Sequence, residues 1–271
     1  MPTPREINAF TRTVHAYYQK HARDLPWRHT TDPYKILVSE IMLQQTQVER
    51  VRIKYAEFLH AFPTVATLAK APLADVLRTW QGMGYNRRAK MLHETAKAIV
   101  RDHAGRFPKD MKTLITLPGI GPSTAGGILA YAHNMPVVFI ETNIRRVYMY
   151  HFFHDKRGVS DKEILPLVEI TCDKEHTREW YSALMDYGTH LAQTIENPNK
   201  RSKHYSVQKK FKGSEREVRG AILRSLAEKN HTRLYLMTQL PFTPERVEKA
   251  LATLTKESLI TQKGNSYTLG S

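Results

Sequence analysis

Apolar residues recur at three- and four-residue spacing along nearly the whole chain, the period of helices that bury one face. The fold class expected is therefore all-α over most of the length. Proline and glycine fall where one helix should give way to the next. Asp32-Pro33 supplies an N-cap and a first position ahead of YKILVSEIML, and Pro72 and Pro108 are expected to open short helices in the same way. Thr64 to Gly105 reads as two helices broken at QGMG, and two short helices joined by a tight turn are predicted around Pro118, Gly119 and Gly121, ahead of TAGGILAYA. PVVFIE is extended or a link, after which TNIRRVYMYHFF, KEILPLVEI and REWYSALMDYGTHLAQ return to the helical period.

The texture changes near Asn197, where NPNKRSKHYSVQKKFKGS has little apolar periodicity and many cations, so residues 196–213 read as a basic linker. A compact module follows over 214–271: EREVRGAILRSLAE, RLYLMTQL and TPERVEKALATLTKES as three helices, then LITQKGNSYTL as a Gly-centred hairpin. That order is expected of a winged helix-turn-helix, with Thr243-Pro244 starting the third helix, the usual groove-reading element.

Charge narrows the function. Lys and Arg total 41 against 26 Asp and Glu, a net +15 that suits a polyanion, nucleic acid first. No apolar run spans a membrane and no secretory signal opens the chain, so a cytoplasmic or nucleoid-associated protein with no membrane partner is expected. The single cysteine, Cys172, rules out an intramolecular disulfide and any four-cysteine zinc or iron–sulfur site within one chain. Two local features carry chemistry. In Leu117-Pro118-Gly119-Ile120-Gly121, side-chain-free positions expose backbone N–H groups at a helix start, which suits a phosphate oxygen. Glu40 lies in the apolar stretch SEIMLQQ, where its charged form is disfavoured and its pKa should move toward that of a general acid.

LPWR (25–28), DPYKILVSEIMLQQTQV (32–48), GMGYNRRA (82–89), LPGIGPSTAGGIL (117–129) and ETNIRRV (141–147) together resemble the helix-hairpin-helix DNA glycosylases, in particular the MutY branch of adenine mismatch glycosylases. The resemblance covers roughly the first 195 residues. It implies a two-lobed glycosylase domain over 1–195, with a six-helix barrel at about 28–135 and a second lobe from 1–27 plus 136–195, DNA lying across the cleft. By the same resemblance Glu40 protonates the flipped adenine at N7, and Glu141, with Asn143 beside it, stands where the family has Asp to stabilise positive charge on the sugar. Arg28 and Asp186 match residues lining the base pocket. Leu43, Gln45 and Tyr85 match residues that enter the duplex and fill the space of the extruded base. Leu117, Gly119, Gly121 and Ser123 match the hairpin that grips the backbone. Ser123 stands where the strand-cutting endonuclease III relatives carry Lys, so a monofunctional enzyme without lyase activity is expected.

Two departures bear on cofactor and substrate. Where relatives carry a four-cysteine cluster, this chain has Ala192 and a basic segment, whose Lys200, Arg201, Lys203, Lys209 and Lys210 are expected to take over phosphate contacts. No cofactor is expected beyond a monovalent cation that the hairpin could hold. The chain also ends in the winged-helix-like module, where full-length relatives carry a domain resembling Nudix hydrolases that recognises 8-oxoguanine. The expected partner is duplex DNA with a mismatch or lesion, bound by a monomer; no particular protein partner is indicated. Adenine opposite 8-oxoguanine or guanine is the leading substrate. Mismatched thymine or uracil is the alternative within enzymes, and a catalytically weak lesion-binding or regulatory protein the alternative outside them.

Overall fold

A computed structural model of the chain describes residues 2–208 and 210–270; Lys209, one of the expected phosphate contacts, lies outside the described residues. Fourteen α-helices and one small sheet follow in order among them. Helix α1 (Pro4–His21) starts at a Thr3/Glu6 capping box, in which each side chain takes up an amide the other end of the turn leaves open. A short 3-10 turn, Pro26–Arg28, leads into α2 (Pro33–Leu43), whose Asp32 accepts from the Tyr34 amide at 2.9 Å, as the sequence predicts. Then come α3 (Val48–Ala61), α4 (Val65–Lys70), α5 (Leu73–Thr79) and α6 (Arg87–His103). The region expected to hold two helices thus holds three, because Pro72 ends α4 and stands as N-cap of α5. Pro108 does not open the next helix. Asp110 caps α7 (Met111–Leu114) instead, accepting from the Thr113 amide at 2.7 Å.

The tight turn leads into α8 (Pro122–His133), and residues 136–140 run as a link without strand. They are followed by α9 (Thr142–Phe152), α10 (Asp161–Thr171) and α11 (Thr177–Thr194). The C-terminal module is α12 (Glu215–Glu228), β1 (His231–Thr232), α13 (Arg233–Gln239), α14 (Pro244–Lys256), β2 (Ile260–Lys263) and β3 (Ser266–Leu269). Its antiparallel sheet has the order β1-β3-β2, with Ile260 opposite Leu269 and Lys263 opposite Ser266. This is the expected winged helix with one added short strand. Among the described residues no helix is long and apolar enough to cross a membrane.

Contacts divide the chain into two units. The first comprises Met1–Leu37, Lys109–Ile115 and Ile120–Val207, and its core gathers Phe10, Tyr148, Trp180 and Tyr181 with the aliphatic faces of α8 to α11. The second comprises Val38–Pro108, Thr116–Gly119 and Gln208–Ser271, so the winged helix shares a unit with helices α3 to α6. Within it Phe58 meets Trp80 edge-on at 5.8 Å, and Val218, Ile222 and Leu254 are fully buried. Each such side chain contributes about 1.5–3 kcal/mol of burial.

Candidate active site

In the first unit the chemistry gathers at the start of α9. Glu141 is the N-cap: one carboxylate oxygen accepts from the backbone amides of Asn143 (2.5 Å) and Ile144 (2.7 Å), filling bonds that a helix start leaves open. Burial pushes this carboxyl above the usual glutamate range, against the pull of those two amides and of Arg146 and Arg145. Asn143 turns its amide nitrogen to the other carboxylate oxygen at 3.4 Å and accepts from buried Arg146 at 2.6 Å. Arg146 also donates to the Gly188 carbonyl at 2.8 Å. A Cβ on Gly188 would stand 2.6 Å from the Asn143 carbonyl oxygen, so the absence of a side chain there lets α11 lie directly against the cap. The sequence reading grouped Glu141 and Asn143; the packing adds Gly188.

Arg28 and Asp186 come together in the same unit. Asp186, at 2% exposure, accepts from both terminal nitrogens of Arg28 (2.8 and 2.7 Å) and from the amide and Nε of Arg23 (2.9 and 2.5 Å). Burial alone would raise its pKa; the Arg28 fork, with Arg23, holds it below the ordinary aspartate value. The pair ties the 3-10 turn to α11 by charge-assisted bonds.

The second unit carries Glu40, Leu43, Gln45 and Tyr85. Glu40 is partly buried on α2, between buried Ser39 and Ile41. Gln45 and Tyr85 both adopt left-handed backbone, φ +54° and +48°, which costs a side-chain-bearing residue about 1–2 kcal/mol. Arg88 imposes both turns. Its guanidinium donates to the carbonyls of Ile41 (2.8 Å), Met42 (3.0 Å) and Gln44 (2.5 Å) at the end of α2, and to those of Met83 (3.2 Å) and Gly84 (3.3 Å) in the turn before Tyr85. Its burial lowers it to about 10, so it stays charged at neutral pH. Arg88 escaped the sequence reading, although an arginine directly behind a Gly-x-Gly-Tyr turn was the available signal. In the hairpin Leu117 is buried, and Gly119 (φ +72°) is exposed with its α-carbon against α6: a Cβ there would stand 2.6 Å from that of Met91. Gly121 is the exposed N-cap of α8, and Ser123 lies in its first turn.

Comparison with known proteins identifies this arrangement. Residues 38–169 match the family described as HhH-GPD superfamily base excision DNA repair protein. The chain is 35% identical to the adenine DNA glycosylase of Mycobacterium tuberculosis, over 96% of its own length and 92% of that protein's. The chain belongs to the HhH-GPD superfamily. A further relative, the thymine/uracil-DNA glycosylase of Methanothermobacter thermautotrophicus, is 28% identical over 68% of this chain and 85% of that one. Among solved structures, a thermostable thymine-DNA glycosylase superposes with a TM-score of 0.66 at 25% identity, over 73% of this chain and 92% of that one. A non-covalent endonuclease III–DNA complex shares the fold, with a TM-score of 0.61 at 18% identity over 74% and 99%.

The cluster that the resemblance places after α11 in HhH-GPD relatives does not fit this chain. Its one thiol, Cys172, is the partly buried C-cap of α10, pushed up in pKa by burial. The segment after α11, read from sequence as a linker, is held by other means as far as Lys203. Buried Asn199 donates to the Thr142 carbonyl at 2.9 Å, Arg201 donates to Met149 at 3.0 Å, and Ser202 pairs with Val159. Arg201 thereby serves the fold, Lys200 pairs with Glu196 at 3.1 Å, and Lys203 stays exposed.

Proposed function

We propose that this chain is a monofunctional DNA N-glycosylase that removes adenine mispaired with guanine or 8-oxoguanine from duplex DNA, as a monomer on chromosomal DNA and without an iron–sulfur cluster. The observation that carries the substrate is the match to the Mycobacterium tuberculosis adenine DNA glycosylase, which covers 96% of this chain and so runs into the C-terminal module. The chemistry follows from two carboxyl groups. Glu40, protonated, gives its proton to N7 of the extruded adenine; the C1′–N9 bond breaks and its electron pair leaves with the base. The ionised Glu141 faces the sugar cation, and water adds to C1′ as it loses a proton to the Glu40 carboxylate, leaving an abasic site and Glu40 reprotonated. Arg28 and Asp186 form one wall of the base pocket, while Leu43, Gln45 and Tyr85 fill the vacated stack. The amides at Gly119 and Gly121 hold a backbone phosphate, with Lys200, Lys203 and Lys210 supplying longer-range attraction. With Ser123 in place of an amine, no Schiff base forms and the strand stays whole.

A pyrimidine substrate is the second reading, favoured by the likeness to a curated thymine/uracil-DNA glycosylase and to a solved thymine-DNA glycosylase structure. Single-turnover release on duplexes carrying adenine, thymine, uracil or hypoxanthine opposite guanine or 8-oxoguanine separates the two. Adenine release with strand breaks only after alkali supports the first reading, pyrimidine release the second, and inactivity on every duplex with tight binding would leave a lesion-binding protein. Glu40→Gln should abolish release while DNA binding persists.

A further inference from the structure

Tyr85 is gripped from the C-terminal module. Two guanidinium groups stand against its ring, Arg88 of α6 at 5.4 Å and Arg216 of α12 at 5.2 Å from the ring centre. Its hydroxyl oxygen accepts hydrogen bonds from Arg216 and from Gln208. The helix that carries Arg216 is itself fixed on α5 and, through Glu257, on α6 of its unit. Arg78 donates to the Ala227 carbonyl at 3.2 Å, Lys90 to the Glu257 carbonyl at 2.6 Å, and Arg219 pairs with Glu257 at 2.5 Å. Beside the clamp lies a cavity of about 330 Å³ lined by Gln44, Tyr85, Arg87, Met91, Gly119 and Arg216. Strained Tyr85, the hairpin glycine and an arginine of the winged helix therefore share one concave surface.

We propose that Arg216 is a positioning residue that sets the Tyr85 wedge, so that the C-terminal module acts in strand opening and not only in affinity. The inference rests on the reading of Tyr85 as the residue that enters the duplex. Its physical basis is direct. A phenol held at its oxygen and covered on its face by a planar cation loses rotamer freedom before DNA arrives, so less ordering cost falls on the opening step. An arginine that only attracted phosphate would instead act on affinity, whatever stands at position 85.

The test uses the full-length protein on a duplex with 2-aminopurine beside an adenine–8-oxoguanine mismatch, reading fluorescence rise, single-turnover base release and Kd together. Arg216→Ala should slow release about tenfold and shrink the fluorescence rise, with Kd changed less than about threefold. Arg224→Ala, an equal charge loss at an exposed position of the same helix, should leave the rate unchanged. In a Tyr85→Ala background Arg216→Ala should slow release by less than about twofold more, because the two act as one device. Arg216→Lys keeps the charge but not the planar face, should recover only part of the rate, and carries the test if the alanine variant does not fold. Multiplying effects of Arg216→Ala and Tyr85→Ala, or an effect confined to Kd, overturns the proposal. If the wild type raises fluorescence yet releases no base, the glycosylase reading fails while an Arg216-dependent rise still supports the clamp. Binding without any rise overturns the wedge and the clamp together.

Discussion

At the scale of single residues, Glu141 serves two ends that conflict. As N-cap it closes two amides of α9, and as a buried carboxyl it is costly to ionise. Its raised pKa means that the folded protein holds this proton to higher pH than the unfolded chain does. Its contribution to stability is therefore full below the ordinary glutamate value of 4.5 and is lost as pH rises through the folded value. In the proposed mechanism base release uses the ionised form, so the acid limb of the single-turnover profile should lie above the ordinary glutamate range. Glu141→Gln keeps an oxygen for the cap amides and removes the charge. It should cut release about 100-fold or more and raise Tm at pH 7.5, on the order of 2–4 °C per kcal/mol relieved, while gaining less at pH 4. A lowered Tm at both pH values would mean that the cap outweighs the desolvation of the charge. The sequence placed Glu141 at the start of a helix. Its desolvation was not legible, because the α11 backbone that packs on its neighbour Asn143, at Gly188, lies some 45 residues on.

At the scale of elements, Arg88 joins two turns that regular structure alone would leave loose. Five backbone carbonyls from the end of α2 and from the Gly-x-Gly-Tyr turn converge on one guanidinium, and the Thr46 hydroxyl accepts as well at 3.0 Å. Arg88→Ala would leave those carbonyls without their charged donor and should cost roughly 3 kcal/mol or more in urea unfolding. Arg88→Lys should recover little, since one ammonium cannot span both turns. A loss below about 1 kcal/mol would show that Gln45 and Tyr85 hold their left-handed backbone without it. Elements opened by local signals were legible from sequence: α2 from Asp32-Pro33, α8 from the tight turn at Pro118, Gly119 and Gly121, and α14 from Thr243-Pro244. Those fixed by distant partners were not. The 197–203 segment has the composition of a linker, yet its bonds go to Thr142, Met149 and Val159, which no local pattern reveals. The winged helix was legible in itself, but not its sharing of a unit with α3 to α6, to which distant partners such as Lys90 and the Glu257 carbonyl contribute.

For the molecule as a whole, four histidines, two buried and two half-buried, set the direction of its acid response. His93 and His231 in one unit, and His133 and His151 in the other, are all lowered by burial, His151 to about 4 from an ordinary 6.5. Each binds its proton less readily in the folded protein than in the unfolded chain. The unfolded chain therefore binds more protons between pH 6.5 and the lowered values, and stability is lost as pH falls through that window. The paired carboxylates act lower: Asp186 and Asp161 titrate below the ordinary aspartate value and Glu163 at about 2, so they remain ionised while the histidines are exacting their cost. Glu141 opposes the trend but is one group against four. Tm should therefore be lower at pH 5 than at pH 7.5, in a protein whose net charge of +15 already resists compaction. His151→Gln retains a donor for the Tyr187 hydroxyl, which lies 3.1 Å from the native ring nitrogen, and should flatten the dependence of Tm on pH without lowering Tm much at pH 7.5. Calorimetry at several pH values decides it. A slope unchanged by His151→Gln would assign the acid sensitivity to the other three histidines, and a Tm independent of pH from 7.5 to 5 would contradict the linkage for all four.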